Sequence, residues 1–233
     1  MPGTLFGVGL GPGDPELITL KAARLIAATP IIAYPALPGT ESIARNIAAT
    51  HISASAHEIR LDIPMTRDRA PAQAAYDLGA ARIAEALDCG QDVAFLCEGD
   101  PFFYGSFMYV HARLAPHHTV EVVPGVASVM AAAARAGLPL TARNEVFAVL
   151  PAPLDDKTLR GRMESANSFA IVKLGRHMPR VRALLNELGL TGRAHYIERA
   201  TLPDERAVPL SDAPQSAPYF SMILVTKGAD PWL

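Results

Sequence analysis

Short apolar runs alternate with Ala-rich runs of helical spacing through the first half of the chain. The run at 93–97 is continuously apolar, which is typical of a strand buried on both faces. Strands separated by helices indicate parallel βαβ units. Runs that favour strands lie at 5–9, 30–34, 58–61, 93–97 and 120–123. Runs that favour helices lie at 17–28, 42–50, 72–88 and 126–136.

In the second half of the chain, fewer helix patterns lie between the strand patterns. Strand patterns occur at 147–150, 169–173, 195–198 and 221–225, and 179–188 is the clearest helix. This scarcity of helices between strands predicts a mixed sheet rather than a second set of βαβ units. We therefore predict an α/β protein with an N-terminal parallel-sheet domain (1–125) and a C-terminal mixed α/β domain (126–233).

Composition narrows the classes of protein to consider. The net charge is −2 over 233 residues, and Lys and Arg are spread along the chain, which argues against nucleic-acid binding. The N-terminus lacks a signal peptide pattern, and no apolar run approaches the roughly 20 residues of a spanning helix. We expect a cytoplasmic protein without membrane association. Cys89 and Cys97 do not form a CxxC pair, so neither a disulfide framework nor a metal site is expected.

A glycine-rich segment at 7–16 joins the first predicted strand to the first predicted helix. Glycine permits positive φ and close approach of a ligand, while Asp14 suits an N-cap and Pro15 a first helical turn. The dinucleotide fingerprint G-x-G-x-x-G fails, because Pro12 or Asp14 stands where its third glycine is required. The P-loop ending Gly-Lys-Ser/Thr is also absent. A tight strand-to-helix turn alone would explain much of this segment.

Two further loops follow predicted strands, at 98–106 and 124–128. Ligands of open parallel sheets bind beyond the carboxyl ends of the strands, where these loops should lie. Asp100 is either a helix cap or a ligand contact, and capping leaves the neighbouring aromatic residues 102–104 unexplained. Three loops of this kind would together build one pocket.

The run Val-Gly-Leu-Gly-Pro-Gly-Asp-Pro-Glu-Leu-Ile-Thr-Leu-Lys-Ala at 8–22 resembles the first signature of the tetrapyrrole methylase family. Gly99-Asp100 with Tyr104-Gly105, followed by Pro-Gly-Val-Ala-Ser at 124–128, resembles its second signature. Glu-Arg-Ala-Thr at 198–201, with Asp204-Glu205, extends the resemblance into the second domain. Within the family, the runs at 32–36 and 99–109 are most similar to the branch that methylates precorrin-2 at C-20.

The resemblance implies two α/β domains, with S-adenosylmethionine in the cleft between them and a tetrapyrrole as methyl acceptor. For the C-20 branch it implies cobalamin biosynthesis, in which precorrin-2 becomes precorrin-3A. A cobalt-containing substrate and another precorrin methylation are alternatives. It also implies a homodimer, and the stretch 102–109 is a candidate partner surface, with core packing as the alternative. The cofactor contacts implied by the resemblance are Pro12, Glu98, Gly99, Asp100, Phe103, Ala127, Ser128, Leu174, Ala200 and Thr201. For Leu174, ordinary core packing is an equal alternative.

Methyl transfer from an activated sulfonium chiefly requires orientation and exclusion of water. The catalytic residues stay open, and the candidates for a base that would remove a ring proton are Glu98, Asp100, Tyr104 and Glu198. Candidates for pairing with substrate carboxylates are Arg45, Arg67, Arg69, Arg143, Arg176 and His177. Rival functions are a nucleotide-dependent oxidoreductase, a non-catalytic tetrapyrrole-binding module, and a methylase of a protein or another tetrapyrrole.

Overall fold

A five-stranded parallel sheet organises the N-terminal unit of the computed structural model, which describes residues 2–66 and 68–228. The chain divides into two compact units, Met1–Ala127 and Ser128–Leu233. The strands of the first unit are β1 (Thr4–Gly9), β2 (Ile31–Ala36), β3 (His57–Asp62), β4 (Val93–Cys97) and β5 (Thr119–Val123). Its helices are α1 (Leu20–Ala28), α2 (Ile43–Ile47), α3 (Ala70–Asp88) and α4 (Phe107–Leu114). The strand order is β3-β2-β4-β1-β5, with every pairing parallel.

Helices cover both faces of this sheet. On one face, Leu96 of β4 packs with Ile26 of α1 and Ala44 of α2. On the other face, Phe95 packs with Ile83 of α3 and Phe107 of α4. All five residues of β4 are buried, as the continuous apolar run predicts. Successive side chains of β4 therefore enter opposite apolar layers, and the strand lies at the centre of the sheet.

The C-terminal unit contains a mixed sheet. Its helices are α5 (Ser128–Ala136), α6 (Asp156–Ser165) and α7 (Met178–Glu187). Its strands are β6 (Phe147–Pro151), β7 (Ser168–Val172), β8 (Ala194–Glu198), β9 (Arg206–Pro209) and β10 (Ser221–Thr226). The strand order is β6-β7-β10-β8-β9, in which β6 and β7 are parallel and the remaining pairs antiparallel. The predicted fold class, a parallel-sheet domain followed by a mixed-sheet domain, is confirmed.

Several predicted boundaries are wrong for identifiable reasons. The helix predicted from residue 17 begins at Leu20, because the Thr19 hydroxyl caps it by accepting the Ala22 N–H at 3.1 Å. Asp14 instead caps a separate 3₁₀ turn, Pro15–Leu17. The helix predicted from residue 126 begins at Ser128. The domain boundary between residues 125 and 126 stays a prediction, and the two compact units divide between Ala127 and Ser128.

Two absences hold for the described part of the chain. None of its helices combines the length and apolar character that crossing a membrane requires. Over the same residues, no group of three or more His, Cys, Asp or Glu side chains could hold a metal ion.

The two thiols differ in environment, since Cys89 is exposed and Cys97 is buried. Burial raises the pKa of Cys97 to about 11, so this thiol stays protonated and unreactive at neutral pH.

Candidate functional site

The central strands β1 and β4 lie side by side, and the chain leaves them on opposite faces of the sheet. From β1 it passes through α1 to β2, and from β4 it passes through α4 to β5. Connections that diverge in this way leave a crevice at the carboxyl ends of the two strands. The segment after β1 and the segment after β4 both begin at this crevice, as the sequence predicts.

Backbone hydrogen bonds hold the first two loops together. The Gly99 N–H donates to the Gly11 carbonyl at 2.7 Å, and the Gly11 N–H donates to the Gly99 carbonyl at 3.2 Å. The Leu10 N–H donates to the Cys97 carbonyl at 3.0 Å. These bonds extend the pairing of β1 and β4 past their ends, so the two glycine loops form one continuous wall.

The third loop, which follows β5, packs directly against the other two. A Cβ atom on Gly125 would overlap the Gly99 carbonyl oxygen and would lie 2.9 Å from the Cα of Gly9. Only glycine therefore fits at position 125. Gly9 and Gly125 lie in the glycine segments that the sequence singles out, but neither is among the predicted cofactor contacts.

Gly99 is the point where this wall faces open space. Its φ is +66°, a conformation that favours glycine, and a Cβ there would meet only the Val126 carbonyl oxygen, at 4.0 Å. Gly11 is likewise at a positive φ of +76°. The backbone at Gly99 is thus accessible to a ligand in a way that the tightly packed Gly125 is not.

Asp100 fastens the second loop to the third. Its Oδ1 accepts the Phe102 N–H at 2.9 Å, and its Oδ2 accepts the Gly125 N–H at 3.1 Å. The interpretation of Asp100 as a helix cap is wrong, because the next α-helix begins only at Phe107. The carboxylate instead closes a local turn and cross-links two loops.

The Glu98 carboxyl is partly buried just beyond the end of β4. Burial raises its pKa, and backbone N–H groups of Glu98 and Ala44 oppose that rise only in part. Ala44 belongs to the first turn of α2, so this carboxyl faces that helix. Glu98 therefore retains a proton to higher pH than an exposed glutamic acid does.

Aromatic side chains border the second loop. Phe103 and Tyr104 pack edge to face with centroids 5.1 Å apart, and both are partly exposed. Tyr104 has a positive φ of 58°, uncommon for a residue with a side chain. Phe102 and Tyr109 are also exposed, whereas Phe107 is fully buried. Core packing therefore accounts for Phe107 but not for the other four aromatic residues.

In the C-terminal unit, the remaining predicted contacts follow β7 and β8. Both strands run antiparallel to β10, so their carboxyl ends lie at one edge of the sheet. The Leu174 side chain is fully buried in the core, as its alternative interpretation requires, and Ala200 is almost fully buried. Lys173, Arg199 and Thr201 have positive φ values of 60°, 49° and 69°. Such strained residues concentrate at ligand-binding segments.

The other predicted residues have varied surroundings. Glu198 accepts a hydrogen bond from the buried Tyr196 hydroxyl at 2.5 Å. Arg45 makes an ion pair with Glu58 at 3.0 Å, so its guanidinium already has a carboxylate partner within the chain. Pro12 lies in the first loop, while Ala127 and Ser128 lie at the division between the units. The remaining candidates for binding substrate carboxylates are Arg69, Arg143, Arg176 and His177, with Arg67 outside the described residues.

Comparison with known proteins identifies the family. Residues 4–214 match the family described as Tetrapyrrole (Corrin/Porphyrin) Methylases. The chain belongs to the tetrapyrrole methylase family. Its 8–22 and 98–106 segments, whose resemblance to the family signatures is noted above, are the loops that meet at the end of β1 and β4.

Several curated tetrapyrrole methylases are similar along the chain. "Cobalamin biosynthesis protein CobIJ" of Mycobacterium tuberculosis is 43% identical over 97% of this chain, which spans only 46% of that protein. "Precorrin-2 C(20)-methyltransferase" of Sinorhizobium sp is 36% identical over 98% of this chain and 97% of its own length. "Cobalt-precorrin-2 C(20)-methyltransferase" of Salmonella typhimurium is 31% identical over 97% of this chain and 98% of its own length.

A solved tetrapyrrole methylase structure is also similar. Uroporphyrin-III C-methyl transferase from Thermus thermophilus, complexed with S-adenyl homocysteine, is 27% identical with a TM-score of 0.68. The match covers 97% of this chain and 92% of that chain. The fold of this chain is thus similar to that of a methyl transferase solved in complex with S-adenyl homocysteine.

Proposed function

We propose that this chain is an S-adenosylmethionine-dependent methyltransferase of cobalamin biosynthesis that methylates precorrin-2 at C-20 to give precorrin-3A. The observation that carries the proposal is the meeting of three glycine loops at the ends of β1, β4 and β5, with open space beside Gly99. Two relatives matched along nearly their whole length, at 36% and 31% identity, are named for C-20 methylation of precorrin-2 and of its cobalt form. The cobalt-containing substrate is therefore the second candidate.

The open space beside Gly99 supports binding of S-adenosylmethionine at the glycine loops. A side chain at position 99 would occupy the open space, so glycine there keeps a cradle for a ligand. When bound, S-adenosylmethionine supplies a methyl group activated by a positively charged sulfur. The proposed contacts in the N-terminal unit are Pro12, Glu98, Gly99, Asp100, Phe103 and Ala127. Those in the C-terminal unit are Ser128, Leu174, Ala200 and Thr201.

The residues of the chain would act mainly by orientation. The paired loops at Gly11 and Gly99 hold their backbone groups in fixed positions, and Asp100 fastens the third loop to them. Fixed geometry converts binding into alignment of the reacting atoms, while burial of the reactants excludes water. The residues predicted as candidates for a base that accepts a ring proton are still Glu98, Asp100, Tyr104 and Glu198. A homodimeric state and a cytoplasmic location likewise stay predictions.

Calorimetry with S-adenosylhomocysteine tests the proposal. We expect one site per chain in the wild type and loss of binding in Gly99→Val, because a β-branched side chain would fill the cradle and resist φ of +66°. Gly189→Val is the matched control, since Gly189 has a φ of +68° and equally open surroundings just beyond α7. It should bind like the wild type despite similar backbone strain. No binding by the wild type, or equal binding by both variants, would contradict the proposal.

A further inference from the structure

The loop that follows β8 is held in an unfavourable backbone conformation. Arg199 and Thr201 have φ values of 49° and 69°, and Thr201 is also branched at Cβ. Such conformations persist only where surrounding contacts enforce them. A residue that holds this backbone in place would also hold the proposed cofactor contacts Ala200 and Thr201.

Glu205 supplies one of these contacts, beside the bond from the Arg199 N–H to the Phe220 carbonyl and the ion pair of Arg199 with Asp204. Glu205 Oε2 accepts the Thr201 N–H at 2.5 Å, and Glu205 Oε1 accepts the Arg135 Nε–H at 2.6 Å. Two successive turns return the chain to this position, with the Leu202 N–H donating to Arg199 and the Glu205 N–H donating to Leu202. The Glu205 side chain is only 12% exposed, so its bond to the backbone is largely shielded from water.

The same carboxylate ties the loop to α5. Arg135 lies in the last turn of α5, and Ser128 begins that helix. Ala200 packs in one apolar cluster with Val129 and Ala132 of α5. The loop that carries Ala200 and Thr201 is therefore fixed against the helix that carries Ser128, and all three residues are proposed cofactor contacts.

We propose that Glu205 is a positioning residue for cofactor binding, which holds the Ala200–Thr201 backbone at a set place relative to Ser128. This role rests on the proposed function. Its chemistry parallels that of Asp100 in the other unit, since each carboxylate accepts a backbone N–H from a loop of the candidate site. Arg135 is 58% exposed, so its ion pair contributes less than the bond to Thr201.

The test compares Glu205→Ala and Glu205→Gln with the wild type. Loss of the shielded bond in Glu205→Ala should raise the Kd for S-adenosylhomocysteine and the KM for S-adenosylmethionine by about tenfold. The KM for the tetrapyrrole should not change. Glu205→Gln should give an intermediate value, because its amide oxygen still accepts the Thr201 N–H. Glu187→Ala, which removes an exposed carboxylate paired with Arg160, should match the wild type.

Two results separate this role from the function on which it rests. A lower melting temperature of Glu205→Ala with unchanged Kd and KM would mean that Glu205 serves folding alone, which overturns the positioning role. Absence of binding by the wild type would instead overturn the proposed cofactor. Intermediate behaviour of Glu205→Gln, alongside a normal melting temperature, supports the positioning role even where Glu205→Ala folds poorly.

Discussion

At the scale of single residues, an acidic side chain fastens a loop in each unit. Asp100 accepts the Gly125 N–H at 3.1 Å, and Glu205 accepts the Thr201 N–H at 2.5 Å. Both carboxylates accept backbone N–H groups of the chain itself, and Glu205 also pairs with the Arg135 side chain. Loops fixed in this way need less ordering when a ligand binds, which favours affinity. These two acids therefore contribute to the proposed site by holding its loops in place.

Asp100→Asn tests this geometry. One amide oxygen cannot replace both carboxylate oxygens, because the amide nitrogen would face either the Phe102 or the Gly125 N–H. We expect the free energy of unfolding to fall by about 1–3 kcal/mol, with weaker binding of S-adenosylhomocysteine. Urea denaturation and calorimetry measure the two effects. A variant as stable as the wild type would contradict the cross-linking role.

Gly125→Ala and Gly161→Ala form a matched pair. At position 125 a methyl group would overlap the Gly99 carbonyl, so we expect severe destabilisation and loss of ligand binding. Gly161 lies within α6 with nothing near its Cβ position, so alanine there should stabilise the protein by about 0.5–1 kcal/mol. Melting temperatures of both variants check the contrast. Similar melting temperatures would contradict the packing described at the glycine loops.

At the scale of elements, local patterns predicted the strands well and the turns less well. β4 followed from its continuous apolar run, and its bounds agree with the structure. α1 began later than predicted because two cap residues, Asp14 and Thr19, lie close together and both suit a helix start. α4 was read only as an aromatic stretch, and the short, largely exposed strand β9 left no apolar alternation to detect.

The candidate site was partly predictable for the same reason. Glycine loops after strands are visible in sequence, and parallel topology brings strand ends together. The cross-link from Asp100 to Gly125 spans 25 positions, so no local pattern could reveal it. The strained backbone at Thr201 was hidden for another reason: the Glu205 carboxylate that accepts its N–H is only four positions away, but it is itself held by Arg135, 70 positions away.

A charged cluster joining β2, β3 and α2 gives a prediction with a pH dependence. Glu58 accepts hydrogen bonds from Arg45 and Tyr34, and the Arg45 bond is the main cause of its lowered pKa. A carboxyl whose pKa is lower in the folded than in the unfolded state stabilises the fold above its unfolded pKa. That stabilisation disappears as pH falls through the folded pKa.

Glu58→Gln should therefore destabilise the protein by about 1 kcal/mol at neutral pH. The difference in the free energy of unfolding between this variant and the wild type should disappear as pH falls below 4.5, the ordinary pKa of glutamate. Glu85→Gln, which removes an exposed carboxylate from α3, is the control and should leave stability unchanged. Unfolding curves across the acid range measure this. A gap that stays constant down to low pH would contradict the role of the Glu58 carboxylate.

At the scale of the whole molecule, the proposed cofactor contacts are residues of both units, Pro12 to Ala127 in the first and Ser128 to Thr201 in the second. The family match spans residues 4–214 and so includes both units. The chain covers about half of the CobIJ relative but nearly all of the two relatives named for C-20 methylation. The similarity to the two relatives named for C-20 methylation therefore extends through both units.

The product of the reaction tests the central claim most directly. The purified protein is incubated with S-adenosylmethionine carrying a ¹³C-labelled methyl group, and with either precorrin-2 or its cobalt form. We predict a product that gains one labelled methyl by mass spectrometry, with carbon NMR assigning it to C-20. Gain of the methyl only with the cobalt form would favour the second candidate substrate. An unmodified tetrapyrrole in both reactions, or a methyl at another carbon, would contradict the proposed function.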